Sequence, residues 1–485
     1  MSSPEKPGIL LSPNHLGDAG NKSNDHYKVR LSPFRYKIRS VLLPYVRKET
    51  EVLKSLQGAI RTPFLDFYFA WTANLASHTF YVLMLPIPIW FGASTLARDL
   101  VHVLGLGIYF TGFLKDYFCL PRPRSPPVKR ITMLGYTAQE YGFPSSHSAN
   151  ATAVTLVLAA KVLEYQATLS TTIYYTLLAI LAVYYVSLIF GRLYCGMHGF
   201  LDLLVGCSVG TACFMFRHFF GKAWDNFLFS NDFTWTTVVG IIMGYVGLIH
   251  IHAEPVDDCP CFDDSVAFIG VLIGLDLSHL VAYKTQYLAS KNIFQDPLLV
   301  NYDYMTFGIV KQIARVALGV VLVVIWKAIS KPIVFTILPP IYKVIGVYLP
   351  RRNFIATAHT KKSNRHIRST SITNLSKNDL GANAIGDFNK FIKGVTEHDQ
   401  KLAMGPETEI DYYEMLAYAN EAPEKAVEEF PSLERRESTE KVPPLAGVFK
   451  PRYDVEIIGR LVVYAGVATT AVWGFQLVSE VLQLS

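Results

Sequence analysis

The sequence predicts an all-α fold, a polytopic transmembrane helical bundle, and three observations predict it. Of 485 residues, 51% are hydrophobic and only 17% charged, against about 25% charged in ordinary soluble domains. The apolar residues fall in long runs, and a bilayer crossing needs about 20 of them. Aromatic residues reach 13%. The first 26 residues are polar and contain no apolar stretch of signal-peptide type, so insertion is expected to start from an internal span.

Residues 1–63 form a polar and then basic arm. Its first 26 residues are rich in Ser, Asn, Gly and Pro and are expected to be disordered. Residues 27–63 mix Lys28, Arg30, Arg35, Lys37, Arg39, Arg47 and Lys48 with apolar residues, the pattern of an interfacial helix on the cytosolic side. From Phe64 to Leu114 the chain is almost all apolar, broken by Pro86, Pro88, Gly92 and Arg98-Asp99, and holds two comfortable crossings or three short ones. Further spans are expected at 148–164, 171–190, 200–217, 234–252, 265–283 and 305–329. The stretch 332–350 is broken by Pro339-Pro340 and is expected to span with a kink or to re-enter. Residues 351–455 are polar and read as a flexible extramembrane segment, and 457–482 as a terminal span. The chain thus divides into an arm (1–63), a core (64–252), additional spans (253–350), the polar segment (351–455) and a last span (456–485).

The net charge of +6 carries no aromatic-interleaved basic array, which argues against nucleic acid as a partner. Six cysteines form no zinc or disulfide framework, and Cys259 and Cys261 sit too close in sequence for an unstrained bridge to each other.

Three polar clusters stand out between the apolar runs: Lys115 with Arg122-Pro123, then Pro144-Ser145-Ser146-His147, then Gly191-Arg192 with His198 and Asp202. Topology gathers them. No run between Lys115 and Pro144 is long enough to cross, and two spans separate His147 from Arg192, so all three clusters lie on one face. Ser145 is a candidate N-cap that leaves the amides of Ser146 and His147 pointing outward. Gly196 and Gly199 place His198 near a second helix start, and helix N-termini attract phosphate. Lys115, Arg122 and Arg192 would complete a cradle for a tetrahedral dianion. His198 and Asp202, four apart, share a helix face if that helix starts early enough, so that the carboxylate orients the ring. An oriented imidazole can attack phosphorus, and His147 can protonate a leaving oxygen.

Taken singly, each cluster has a plainer reading: topogenic charges, a helix cap, a satisfied polar pair between helices. Their convergence on one face is what none of these readings explains. Asp276 and His279, inside another apolar run, read as a buried, mutually satisfied pair; His78, Asp99 and His102 fall in the same category.

At these residues the chain resembles the type 2 phosphatidic acid phosphatase superfamily, whose signature is K-x6-RP, PSGH and SR-x5-H-x3-D. Lys115, Arg122 and Pro123 match the first motif; Pro144, Ser145 and His147 the second, with Ser146 in place of Gly; Arg192, His198 and Asp202 the third, with Gly191 in place of Ser. The wording around the motifs looks most like fungal sphingoid long-chain base 1-phosphate phosphatases. The resemblance implies a six-helix core with additional C-terminal spans. It further implies a metal-free, cofactor-free hydrolase of a membrane lipid phosphate in the endoplasmic reticulum. In it His198 is the nucleophile, Asp202 its support and His147 the acid and later the base, while Lys115, Arg122, Ser145, Ser146 and Arg192 hold the phosphoryl oxygens. Phosphatidate or an isoprenoid diphosphate is the alternative substrate, and a transporter or lipid-binding scaffold the non-enzyme alternative.

The loop Glu254–Asp264 is acidic and lies on the cluster face, whereas Arg217, Lys222, Lys284 and Lys291 fall opposite. Basic loops stay cytosolic, which points the site to the lumen. A cytosolic arm then requires three short spans between Phe64 and Leu114.

Overall fold

A computed structural model describes residues 19–22, 24–125, 127–132, 140–229, 234–257, 259–284, 304–344, 453, 455–482 and 484. Among the described residues the regular elements are all helical, and five helices are long and apolar enough to cross a membrane.

The arm forms α1 (Asn24–Arg30) and α2 (Pro33–Ile60). Ser32 caps α2 by accepting from the Arg35 amide, and Pro33 occupies the first turn, where its missing N–H costs nothing. α2 lies across one end of the bundle. Arg35 donates to the carbonyls of Asp116 and Tyr117 at 2.7 and 2.9 Å. Gln57 donates to those of Lys129 and Tyr194, both at 2.8 Å. That end is also where the three polar clusters sit.

The expected three short spans are therefore replaced by two passages. α3 (Pro63–Thr72), a 3-10 turn (Ala73–Ala76), α4 (His78–Met84) and α5 (Ile87–Trp90) run down the bundle as one broken passage. It starts where the Thr62 amide donates to Tyr194 Oη and ends where Trp90 Nε1 donates to the Ala471 carbonyl. α6 (Ser94–Phe118) then returns unbroken. Prolines 86 and 88 and Gly92 break the first half, while Arg98 and Asp99 do not break the second because both are ion-paired. An even count leaves the arm on the cluster face, contrary to the argument from charge.

The remaining helices alternate in direction: α7 (Ser146–Glu164), α8 (Thr171–Tyr194), α9 (Phe200–Leu228), α10 (Trp235–Ile251), α11 (Cys261–Lys284) and α12 (Tyr304–Val344). α13 (Val455–Thr469) continues through a π-helical turn (Thr470–Gly474) into α14 (Phe475–Val481). α12 is kinked at Gly308 and from there passes through Pro339-Pro340, so the expected separate segment at 332–350 is the last part of that long helix, described up to Val344. The polar segment 351–455 lies outside the described residues apart from Tyr453 and Val455. Large apolar side chains such as Ile180 and Val183 on α8 and Phe216 and Phe219 on α9 are exposed, as lipid-facing positions should be.

Two small-xxx-small pairs set the closest contacts. A Cβ at Gly206 or Gly210 of α9 would lie 2.4 Å from the Ser145 carbonyl oxygen or 2.2 Å from that of Ala149 on α7. At Gly270 and Gly274 of α11 the obstacles are the carbonyl oxygens of Leu461 and Ala465 on α13, at 2.7 and 2.1 Å. Backbones this close are the usual use of G-x-x-x-G in membranes. Gly274→Leu is therefore expected to undock α13 and lower the temperature at which detergent-solubilised protein aggregates. Gly244→Leu, where nothing lies within 4 Å, should leave it unchanged.

At the opposite end α6, α9, α10 and α11 meet around buried charges. Arg98 pairs with Asp225 at 2.5 Å and with Asp276 at 3.1 Å. Asp276 also faces His102 Nε2 at 3.2 Å and accepts from Tyr245 Oη at 2.7 Å and Trp224 Nε1 at 3.2 Å. Arg217 closes the array on Asp99 and Asp225. The expected Asp276–His279 pair is not formed: His279 Nδ1 donates back to the Leu275 carbonyl, as a ring one turn along can, and Asp276 turns to Arg98 and His102 instead.

Cys259 and Cys261 are joined, contrary to expectation. Their Cα atoms stand 5.4 Å apart.

Candidate active site

The clusters converge at the end covered by α2. Lys115 is in the last turn of α6, Ser145 and Ser146 open α7, Arg192 is in the last turn of α8, and His198 precedes α9. An open cleft is lined by Lys115, Glu140, Ser146, His147 and Arg192. Thr111 and Gly112 of α6, Asn74 and Ser77 beside the 3-10 turn, and Cys261 and Asp264 of α11 form the rest of its wall.

Glu140, which sequence reasoning missed, ties the cations together. It accepts from Lys115 Nζ at 2.6 Å and lies 3.6 Å from Arg122 Nη2. The signal available was a lone carboxylate between the first two motifs. Arg192 is the contrasting cation: it is buried, and its Nε has no hydrogen-bond acceptor among the described residues. A buried guanidinium without a carboxylate is costly unless an anion visits it.

His198 sits behind the cleft lining, 1% exposed. Its Nδ1 lies 2.9 Å from the Gly142 carbonyl, which can only accept, so Nδ1 carries the proton and Nε2 the lone pair. Nε2 accepts from Arg122 Nη1 at 3.0 Å, and the same Nη1 donates to the Met197 carbonyl at 2.9 Å. The Gly142 carbonyl, rather than Asp202, therefore fixes the ring. Asp202 Oδ2 is 3.6 Å from Nδ1, because it is committed to the Gly199 amide at 2.9 Å. The turn before His198 needs Gly196 at φ +63°, where a Cβ would also stand 2.9 Å from the Lys129 carbonyl.

Of the two helix starts expected to attract phosphate, only that of α7 is open to the cleft. Ser145 Oγ caps it by accepting from the Ser148 amide at 3.3 Å, which leaves Ser146 and His147 on the lining. The start of α9 is filled by carboxylates, Asp202 on Gly199 and Glu49 of α2 on the Leu201 amide at 2.9 Å. Ser145, fully buried, faces its own helix; Ser146 Oγ accepts from Lys115 Nζ at 3.4 Å. Gly191 also finds its reason: a Cβ there would stand 2.9 Å from the Phe69 ring, so α3 packs where a Ser would intrude.

His198 lies in the loop between α8 and α9, and burial holds its pKa well below 6.5, reinforced by Arg122, Lys115, Arg192 and His147. A lowered histidine pKa keeps the imidazole neutral as pH falls through 6.5, where an ordinary one would gain a proton. The acid limb of kcat/KM due to this residue is thus expected below pH 6.5. A pH–rate profile corrected for the substrate's own second ionisation checks it, and a limb at 6.5 or above would contradict the geometry.

A multi-helix membrane body with a cation-lined cleft and a neutral, tautomer-fixed imidazole defines a membrane-embedded phosphatase. The PAP2 superfamily model matches residues 96–224, a range that holds all three clusters. A dihydrosphingosine 1-phosphate phosphatase of Saccharomyces cerevisiae is 43% identical over 328 residues, covering 67% of this chain and 77% of that protein. Its counterpart in Schizosaccharomyces pombe is 34% identical over 348 residues, 72% of this chain and 80% of that protein. Human sphingosine-1-phosphate phosphatase 2 is 26% identical over 295 residues, 59% and 69%. No solved structure gives a significant match. The chain belongs to the PAP2 superfamily, and it is a lipid phosphate phosphatase.

Proposed function

We propose that the protein hydrolyses sphingoid long-chain base 1-phosphates, such as dihydrosphingosine and phytosphingosine 1-phosphate, to free base and inorganic phosphate. The observation that carries this is a cleft whose buried Arg192 lacks a carboxylate partner among the described residues, in a chain similar to two fungal phosphatases of such lipids. Lys115, Arg192 and the α7 start receive the phosphate dianion, and Arg122 leaves Glu140 to join them. That movement uncovers His198 Nε2. Its lone pair attacks phosphorus, the P–O bond to the lipid breaks, and His147 gives its proton to the departing alkoxide. His147 then takes a proton from water, whose oxygen attacks phosphorus and breaks the P–N bond, returning His198. Asp202 supports the charge that develops on the ring from 3.6 Å.

Side-by-side hydrolysis of dihydrosphingosine 1-phosphate, phosphatidate and an isoprenoid diphosphate, with chelator present, tests the reading. The first should be turned over fastest and be insensitive to chelator; faster turnover of either other lipid would overturn the substrate assignment.

We place the protein in the endoplasmic reticulum membrane with the cleft facing the lumen. The resemblance supports the membrane, and the acidic loop containing Asp257 at the cleft end, with Lys222 exposed at the other, supports the side. The basic arm on the cleft face is the opposing charge. A glycosylation acceptor inserted within residues 1–18 decides between them: modification means a lumenal cleft, and its absence beside a modified control inserted after Leu484 means a cytosolic one.

A further inference from the structure

One face of α2 packs on the loops that carry all three clusters. Val46 clusters with Leu120 and Phe143, and Leu53 with Val128, Leu193 and Leu203. Glu49 comes three residues after Val46 and four before Leu53, so it lies on that same face. From there it reaches the start of α9, where its Oε1 accepts from the Leu201 amide at 2.9 Å. Gly199 makes the room: a Cβ there would run into Glu49 Oε2. Glu49 precedes every residue of the three clusters in the chain and belongs to none of their motifs.

The start of a helix carries unpaired amides and a partial positive charge. At α9 that charge adjoins His198, whose ring becomes cationic once Nε2 bonds to phosphorus. Gly199 has no side chain to cap the start, and two carboxylates share the task. Asp202 Oδ2 accepts from the Gly199 amide at 2.9 Å, while its buried Oδ1 has no hydrogen-bond partner among the described residues. With Glu49 already on the Leu201 amide, nothing draws that oxygen further into the helix start. We infer that Glu49 is a positioning residue for hydrolysis, closing the α9 start from α2 so that Asp202 stays available to the His198 ring. The Asp202 carboxylate then keeps its place 3.6 Å from Nδ1. The charge of Glu49 also offsets the helix end that would oppose a cationic imidazole. This rests on the phosphohistidine reading above and deepens it.

The test measures kcat and KM for dihydrosphingosine 1-phosphate, with rapid-quench trapping of the phosphoprotein, using the full chain in mixed micelles. Glu49→Ala should lower kcat and the rate of phosphoprotein formation together by on the order of 10- to 100-fold, the cost of a small displacement at a reacting group. KM should hold, because the interaction counts only as charge develops on the ring. Glu49→Gln keeps an acceptor for the Leu201 amide without the charge and should fall between. Glu51→Gln, which removes an exposed charge on the same helix, should change neither constant. Gly199→Ala, at a φ of −87° that alanine adopts freely, displaces Glu49 without removing it. It should reproduce the loss in kcat, and the double variant should be no worse than the poorer single one. A kcat within about twofold of normal in Glu49→Ala overturns the inference, as does a raised KM at unchanged kcat. Losses that multiply in the double variant do the same. If Glu49→Ala does not fold, a normal kcat in Gly199→Ala is sufficient to overturn it. Failure to trap any phosphoprotein from the unaltered chain would remove the mechanism itself, and this inference with it.

Discussion

His198→Gln is expected to lower phosphate release from dihydrosphingosine 1-phosphate by at least about 10^4-fold, the scale on which losing a nucleophile registers. Glutamine fills most of the space and can still donate to the Gly142 carbonyl, which in the unaltered protein lies 2.9 Å from Nδ1. It has no lone pair able to form a stable bond to phosphorus. Rapid quenching with labelled substrate should trap an acid-labile, base-stable phosphoprotein in the unaltered chain and none in the variant. Release persisting within tenfold of normal would exclude His198 as the attacking group. His147→Gln differs in kind, because a substrate with a good leaving group needs no proton in the first step. Aryl phosphate turnover by that variant should therefore accumulate the phosphoprotein.

The second large effect is on stability. Asp276→Ala leaves Arg98, fully buried, without one of its two carboxylates, and frees Tyr245 and Trp224 of a shared acceptor. Removing one partner of a buried ion pair costs about 3–5 kcal/mol, because the other charge stays behind uncompensated. Scanning fluorimetry of the solubilised protein should show a large drop in unfolding temperature. Pairing Asp276→Leu with Arg98→Met should restore part of it, since apolar replacement of a buried pair is often near neutral. A neutral Asp276→Ala would mean that the array is wet rather than buried.

Much of this was legible in the sequence for a physical reason: charged groups beside a bilayer are costly, so those present advertise themselves. Lys115, Arg122, His147, Arg192 and His198 stood out on that ground, and counting crossings put them on one face. What escaped was pairing. Asp276 could be seen as needing a partner, but nothing in one chain's order says that Arg98 and His102 on α6 supply it rather than His279 three residues away. Glu140 escaped because a lone carboxylate in a polar loop looks like solvated surface. The close-packing G-x-x-x-G pairs at Gly206 and Gly270 also went unread, because their role depends on partner helices that chain order does not identify. The topology between Phe64 and Leu114 failed because the charge of loops and arm was asked to decide a parity, and the arm is held by hydrogen bonds to Asp116 and Tyr194 instead.

Glu140 has a further consequence. It accepts from Lys115 and lies against Arg122 much as a phosphoryl oxygen would, so on the reading proposed above the protein carries a tethered competitor for its own substrate. A tethered competitor cannot diffuse away, and it returns as soon as the charge it yielded to is released. Inorganic phosphate left behind by hydrolysis therefore faces eviction from within, while a substrate whose acyl-chain-sized tail is buried in lipid can outlast it. The carboxylate thereby gives turnover a direction: entry is won by the tail, and exit is forced by the loop.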